Sequence, residues 1–405
     1  MADLGVAILK QMYKPGVETN SYKTGGPAWA MVKKRTDFGG KNRVVVQRYS
    51  NPTGRSATFA NAQTNRGEGA FGEFTVTRAS DYANIKLVNE EIEAAMVDGE
   101  QALAELMKLE GDAAFDQITD SLHHGLWQNG GGAVGRVGSI STTALTLLSR
   151  FDVVHFHVGQ ELVASDYDGT GSGTDRSGTA TVTAINRSTG VLTTDSNWTA
   201  QISGLTANDY LFVQGDRALK IKGFPAWVPY TAPTSTAFFG LDRTADTERL
   251  AGIRVDGSAG TIEEALQLLD GEVHLHAGRM IKGSYFLNSK DYAELLTELG
   301  NSRRREASVE VAGIGFSGVY VDGPGGSHTA FADFEVPRGY AWLLDMDTWT
   351  WWGLGRAPRL LTTGDDLPGL RISNEDATES RFVYRGNLVC DKLICNGVVK
   401  LPTAA

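Results

Sequence analysis

Apolar residues recur at close to 3.6-residue spacing over one long stretch, Val88, Ile92, Met96, Leu103, Met107, Ala114, Ile118, Leu122 and Leu126, with acids between them. That period predicts an amphipathic helix over 88–128. Asn89 stands at the N-cap position, Glu90, Glu91 and Glu93 lie near the positive helix end, and Asn129-Gly130-Gly131-Gly132 supplies the stop. At 1.5 Å per residue such a spine is roughly 60 Å long, with Gly99 and Gly111 as points where it can bend. Ahead of it, the strand-like runs Arg43–Tyr49 and Glu73–Arg78, the second continuing toward Leu87, predict a two-stranded ribbon. The segment between them, 50–72, offers only Phe59 and Phe71 as large apolar groups. A two-stranded ribbon is marginal alone in water, so an ordered one implies support from outside the subunit. Residues 1–40 show scattered apolar positions among Gly and Pro, the pattern of an extended arm.

Beyond residue 158 the pattern changes. Gly, Ser, Thr and Asp dominate, and Thr179–Ile185, Val191–Thr194 and Tyr210–Val213 read as short strands, with Asn186–Gly190 as a hairpin turn. This predicts a small all-β insertion over 158–222. From Thr261 the signals are mixed. Thr261-Ile-Glu-Glu264 is a capping box, Gly283–Asn288 reads as a buried strand, and Ser289 reads as the cap of a helix over 290–299. The tail is strand-rich again, at Tyr340–Leu344, Thr348–Trp352, Arg381–Cys390 and Leu393–Lys400.

Composition excludes several classes. The chain of 405 residues is 41% hydrophobic and 21% charged, enough to bury cores, and 48 glycines favour turns and loops over a helical bundle. It has no apolar run of 18 residues, and the N-terminal apolar stretch is too short for a secretory signal. The net charge of −10 opposes a protein that grips nucleic acid over most of its surface. The charge is uneven: residues 1–55 carry ten Lys or Arg against three acids, whereas 88–126 carry ten acids against Lys108 alone. Opposite blocks in one chain fit head-to-tail contact between copies; two solvated faces are the plainer alternative. Cys390 and Cys395 would face opposite ways in a continuous strand, so no disulfide is expected, and a reducing cytosol is the expected site of synthesis.

Candidate chemistry is sparse. His155-Phe-His157 and His274-Leu-His276 each place two imidazoles on one face if the backbone is extended, but no Cys or acidic partner recurs at ligand spacing. Asp166-Tyr-Asp168-Gly-Thr170 resembles a calcium loop, with Ser177 where the twelfth position requires Glu. Two G-x-G-x-x-G strings, at 130–135 and 313–318, follow a helix and run into a strand respectively, the wrong contexts for a dinucleotide site. Trp342, Trp349, Trp351 and Trp352 could stack on sugar, although core or interface packing is the commoner use. Arg303-Arg304-Arg305 suits either a helix C-terminus or a contact with acidic protein or nucleic acid. No catalytic residue, cofactor or metal site is expected.

The order of arm, ribbon, long acidic helix, β insertion, mixed body and strand-rich tail resembles the major capsid proteins of tailed bacteriophages. Three local strings carry the same likeness. Gly283-Ser-Tyr-Phe-Leu-Asn-Ser-Lys-Asp-Tyr-Ala-Glu-Leu-Leu296 resembles the strand, turn and helix of their axial domain. Asp333-Phe-Glu-Val-Pro-Arg-Gly-Tyr-Ala-Trp-Leu-Leu344 looks like the return toward their peripheral domain, and Phe382–Cys390 with Cys395–Val398 like their closing strands.

The resemblance implies an α+β capsid fold with an N-terminal arm at 1–40, an extended loop at 41–86 and a peripheral domain at 87–157 holding spine helix 88–128. The β insertion at 158–222, an axial domain at 223–352 and a return to the peripheral domain at 353–405 complete it. It implies a non-enzymatic subunit that self-assembles, as pentamers and hexamers, into an icosahedral virion head around double-stranded DNA, built in the host bacterial cytoplasm. Expected partners are other copies, a separate scaffolding protein (about 40 residues precede the ribbon), a portal protein, a cement or decoration protein, and DNA held weakly and without specificity; no membrane is expected. Lys33, Lys34, Arg35, Arg43, Arg48, Arg55, Phe59, Phe71, Glu90, Glu91 and Glu93 are the candidate inter-subunit contacts. The family's Lys–Asn cross-link is not carried over, because Lys41 and Lys86 fall at the ribbon's base. Three alternatives stand beside this reading: a phage tail or decoration protein, an encapsulin-like non-viral shell, and a carbohydrate-binding or hydrolytic protein using the Trp342–Trp352 cluster.

Overall fold

A computed structural model of the chain describes residues 26–90, 100–303, 306–311, 314–361, 369–372 and 374–402. The chain forms two compact units, one of residues up to Trp127 and from Trp227 onward, the other of Gln128–Ala226.

The larger unit is built on two sheets. In the first, the long strand Ala377–Cys390 is the hub. Ala79–Val88 pairs antiparallel along its first ten residues, and Trp349–Gly353 pairs with its last five. Lys33–Arg35 adds a parallel edge beyond Trp349–Gly353. This corrects the extent of the ribbon. Its strands are Asn42–Arg48 (β1) and Phe71–Thr77 (β2), in register from Asn42↔Thr77 to Arg48↔Phe71. Ala79–Val88 (β3) continues the alternation but spends it on another sheet, burying Ala83 and Ile85 beneath the main strand.

The described part of the spine is helix α1, Glu100–Leu126. It continues through Gly111 and buries Ala114, Phe115, Ile118, Leu122 and Leu126, with the Phe115 ring 5.9 Å from that of Phe382. The N-terminal part of the predicted spine, with Gly99, lies outside the described residues. The Asn89 amide donates to the Asp376 carboxylate, and the N–H groups that an Asn89 cap would hold lie outside the described residues.

The second sheet has seven strands in the order Ile253–Asp256, Gly397–Lys400, Tyr340–Leu344, Ser284–Leu287, Gly326–Ala332, Ile314–Gly323 and Glu306–Val311. Helices α2 (Ile262–Ala277) and α3 (Ser289–Arg303) contribute Ile262, Leu266, Leu269, Val273, Leu295 and Leu299 to its core. Helix α2 starts at the expected capping box, with Thr261 Oγ1 accepting from the Glu264 backbone N–H and the Glu264 carboxylate accepting from the Thr261 N–H. Helix α3 is capped one residue earlier than expected. The Asn288 side chain accepts from Lys290 N–H, leaving Ser289 as the first helical residue.

The smaller unit begins before residue 158. Ala133–Ser141 and Ala144–Leu147 sit in the middle of its seven-stranded sheet, between Val191–Thr193 and Tyr210–Val213. They belong there because Val137, Leu145 and Leu147 share a core with Leu162, Leu192, Trp198 and Leu211. The Asn186–Gly190 turn forms as expected: the Asn186 side chain accepts from Ser188 and Thr189, and Gly190 takes a positive φ.

Candidate assembly surface

The ribbon has two unlike faces. Val45, Gln47, Gly72, Phe74 and Val76 point inward, where the Phe74 ring lies 5.1 Å from Trp227 and 6.2 Å from Phe238. Gln47 Nε2 donates to the Cys390 carbonyl at 2.7 Å and Thr75 N–H to Phe239 O at 2.7 Å. Gly72 lets the ribbon sit close, since a Cβ there would stand 2.7 Å from Leu241 Cδ2 and push that side chain aside. The base of the ribbon is therefore seated on its own subunit, which the sequence did not predict. The opposite face is bare: Val44 and Val46 are each 54% exposed, Phe71 60%, and Phe59 on the short tip helix Phe59–Thr64 82%.

The basic candidates divide in two. Residues 26–40 are not a free arm. Helix Gly26–Met31 inserts Trp29 completely, edge-on to Trp351 at 5.4 Å, and Phe38 is also buried. Lys33 pairs with Asp347 at 3.0 Å. Lys34 donates to the Trp29 and Ala30 carbonyls and lies over the Trp29 ring, while the guanidinium groups of Arg35 and Arg43 lie over Trp352. Four of the six expected inter-subunit cations are thus engaged within the chain, whereas Arg48 and Arg55 are exposed. Glu90 is exposed as well; Glu91 and Glu93 lie outside the described residues. Lys86 pairs with Glu375.

Sequence reasoning missed a buried polar cluster at the end of α1. His123 Nε2 lies 3.0 and 3.1 Å from the two Asp333 oxygens, and Asp333 also accepts from Trp127 Nε1 at 3.1 Å and Glu335 N–H at 3.1 Å. His124 Nδ1 is 2.8 Å from Glu335. Burial opposes charge on His123, but Asp333, Glu335 and Asp120 outweigh it and raise its pKa above the usual imidazole value. Gly26 packs on this pair with φ +71°, where a Cβ would come within 2.9 Å of both His123 and Asp333. The one signal in the sequence is an imidazole four residues after Thr119 on the apolar side of the helix.

On the outer side of α1 the acids repel one another. Burial, then Asp116 and Glu335, push the Asp120 carboxyl up to about 6. A carboxyl raised in this way weakens the fold above that pH and leaves it unaffected below about 4. Asp120→Asn is therefore expected to raise the melting temperature at pH 8 and to leave it unchanged at pH 4 in paired thermal melts. Burial at the carboxyl end leads the shift although the residue as a whole is exposed, and solvent screening there holds the gain to at most about 1 kcal/mol.

Other candidates resolve into structural roles. His274 and His276 lie on helix α2, and His155 ends the 3₁₀ turn Arg150–His155, so neither pair has the strand spacing read from the sequence. Asp166 and Asp168 accept from the backbone N–H groups of Thr174 and Thr170 and so brace a polar turn. All four clustered tryptophans are buried, with Trp342 donating to Val228 O and Trp349 to Asn396 Oδ1, leaving no stacking platform for sugar. Cys390 and Cys395 are separate buried thiols; the chain turns between them into a 3₁₀ segment instead of continuing as one strand. Gly313, Arg304 and Arg305 lie outside the described residues, and no described helix is long and apolar enough to cross a membrane.

No family model matches the chain, and no curated protein matches it in sequence. Solved structures do match it. The capsid subunit of cyanophage A-1(L) aligns over 93% of both chains with a TM-score of 0.52 at 11% identity. A gene-transfer-agent capsid covers 94% of this chain and 91% of its own at TM-score 0.49 and 10% identity. The SrpI encapsulin of Synechococcus elongatus PCC 7942 covers 94% and 89% at 0.46 and 9%. Over 93% of its length this chain shares the α+β fold of a phage capsid chain.

Proposed function

We propose that the chain is the major subunit of a phage head, assembling with copies of itself into a closed shell around double-stranded DNA, without enzymatic activity. The observation that carries this reading is the bare outer face of a ribbon whose inner face packs on its own subunit: Val44, Val46 and Phe71 stand exposed on its strands and Phe59 on its tip helix. Burial at about 25 cal/mol per Å² makes such a face costly in water and adhesive between copies. Exposed ion pairs of roughly 0–1 kcal/mol each would set register without holding the shell. Arg48, Arg55 and Glu90 are the charged candidates still exposed for that role. A separate scaffolding protein and a portal are the partners this reading expects, with a cement or decoration protein as an optional one.

The full-length chain, expressed with and without its genomic neighbours, is expected to give closed particles of uniform diameter by negative-stain microscopy. Val46→Glu with Phe59→Glu is expected to cut particle yield at least tenfold while leaving the melting temperature within about 2 °C. Normal yield from that variant would remove the ribbon from the contact, and a wild-type chain that stays monomeric at high concentration would remove the shell.

A further inference from the structure

The two edges of the ribbon are unlike, and its register fixes which backbone groups point where. Tyr49 N–H donates to Ala70 O at 3.1 Å, one step beyond the Arg48↔Phe71 pair, whereas Thr75 N–H leaves the ribbon for Phe239 O. Antiparallel strands alternate bonded and non-bonded pairs. Arg43, Val45 and Gln47 therefore bond across to β2, while Asn42, Val44, Val46 and Arg48 turn their N–H and C=O groups outward. The β2 edge is held by the chain itself, with Thr75 N–H on Phe239 O and Thr77 O accepting from the Asn387 side chain at 3.0 Å. The β1 edge is open. Its four outward N–H and four outward C=O groups meet no partner among the described residues, and all four residues are exposed. Natural sheets blunt such an edge with proline, a bulge or a very short strand. Asn42–Arg48 runs for seven residues in unbroken register, without proline, and shows two bare valines.

We propose that β1 pairs edge to edge with β1 of a second copy, antiparallel about Val45, so that two ribbons form one four-stranded sheet. The strand selects itself as partner in three ways. First, this register sets Asn42 opposite the partner's Arg48 and Val44 opposite the partner's Val46, so outward residue meets outward residue throughout. Every open N–H and C=O on both edges is then bonded, which main-chain pairing of this kind requires. Second, no like charges collide. Arg48 faces the partner's Asn42, and Arg43, on the inner face, lies across from the partner's Gln47. The Val44–Val46 pairing occurs twice about the axis, a β-branched cross-strand contact that favours antiparallel sheets. Third, a two-fold pairing closes both edges at once, whereas a strand of another kind leaves a fresh edge exposed. The inference rests on the reading that copies of this chain assemble, and it assigns part of their contact to the backbone.

Cross-linking in the full-length chain tests it. Bonded antiparallel pairs stand about 5.5 Å apart at Cα, within disulfide reach. Val44→Cys and Val46→Cys chains, mixed before assembly and mildly oxidised, are therefore expected to give a covalent dimer. Either variant alone is expected to give at least tenfold less, because its thiol then meets its own copy two residues out of step. The native Cys390 and Cys395 are buried and do not compete. Proline gives a second readout, since at position 44 it removes an N–H that the ribbon's own ladder does not use. Val44→Pro is expected to cut particle yield at least tenfold with Trp227 fluorescence unchanged, whereas Val44→Thr, which keeps the N–H, retains at least half. Particles from the mixed chains without the dimer overturn the contact, as does a dimer formed equally well by either variant alone. Normal assembly by Val44→Pro overturns it too; if that variant shifts Trp227 fluorescence, the ribbon has lifted and the cross-link alone decides. Wild-type particles are scored first. If none form, the shell reading fails, and the mixed dimer in solution then upholds the edge contact by its presence or overturns it by its absence.

Discussion

Asp333→Ala is expected to lower the melting temperature of the larger unit by roughly 5–10 °C near pH 6. The carboxylate is buried and accepts from three donors at once, His123 Nε2, Trp127 Nε1 and the Glu335 N–H. Removing it leaves a buried imidazolium facing only Glu335 and Asp120, plus two unsatisfied N–H groups. Breaking one partner of a buried pair typically costs about 3–5 kcal/mol, and each kcal/mol moves the midpoint of a large domain by roughly 2 °C. The pH dependence has a definite sign. The folded pKa of His123 is raised, so its ion pair contributes fully below about 6.5 and is lost as pH rises through the folded value. The gap between wild type and variant should therefore be widest below pH 6.5 and narrow on the alkaline side, without closing, because the Trp127 and Glu335 bonds do not titrate. Asp333→Asn, which keeps an acceptor for Trp127 but not the charge, should fall between the two. A gap that widens with pH would show that the ion pair is not what the carboxylate supplies. The same cluster supports Gly26, so Asp333→Ala should also loosen the segment Gly26–Phe38, visible as new cleavage at Lys33–Arg35 under limited trypsin.

The sequence showed elements better than it showed their partners. The 3.6-residue spacing through Ala114, Ile118, Leu122 and Leu126 gives the described helix its buried face, and Val44-Val45-Val46 marks the ribbon. Alternation cannot say which sheet a strand joins. Ala79–Val88 therefore looks like a continuation of the ribbon although it pairs with Ala377–Cys390, and Ala133–Leu147 looks like part of the peripheral domain although its core lies with Leu192 and Leu211. The His274-Leu-His276 alternation suggested a strand, yet the capping box at Thr261 had already started a helix that runs through it. Charge along the chain misleads for a related reason. Lys33, Lys34 and Arg35 look free along the chain, because Asp347 and Trp352, which hold two of them, lie more than 300 residues away. His123 and Asp333, 210 residues apart, are invisible as a pair for the same reason. What periodicity conveys is local; what fixes a charge or seats a strand is a contact between distant residues, and no spacing rule encodes it.

Phe74→Ala is expected to lift the ribbon from its seat and, with it, to end assembly. Phe74 is fully buried between Trp227 and Phe238, and truncating such a ring costs about 3–5 kcal/mol. Beside Phe74 the two strands bury only Val76 as a large apolar side chain, so the loss falls on the docked state of β1 and β2 before it falls on the sheets behind them. The N–H of Thr75, bonded to Phe239 O, should exchange at least a hundredfold faster, while amides within Ala377–Cys390 keep their protection beyond the Gln47 contact at Cys390. Trp227 fluorescence should shift to the red as water reaches its ring. Particle yield should fall as far as in the Val46→Glu, Phe59→Glu variant, although Phe74 faces inward and touches no neighbour through that ribbon face. That pairing separates two ways the ribbon could act. If only the exposed residues mattered, a loosened ribbon still bearing Val44, Val46 and Phe59 would assemble. If a rigid presentation is what lets a bare apolar face adhere without first losing its own conformational entropy, Phe74→Ala abolishes particles with every outward residue intact.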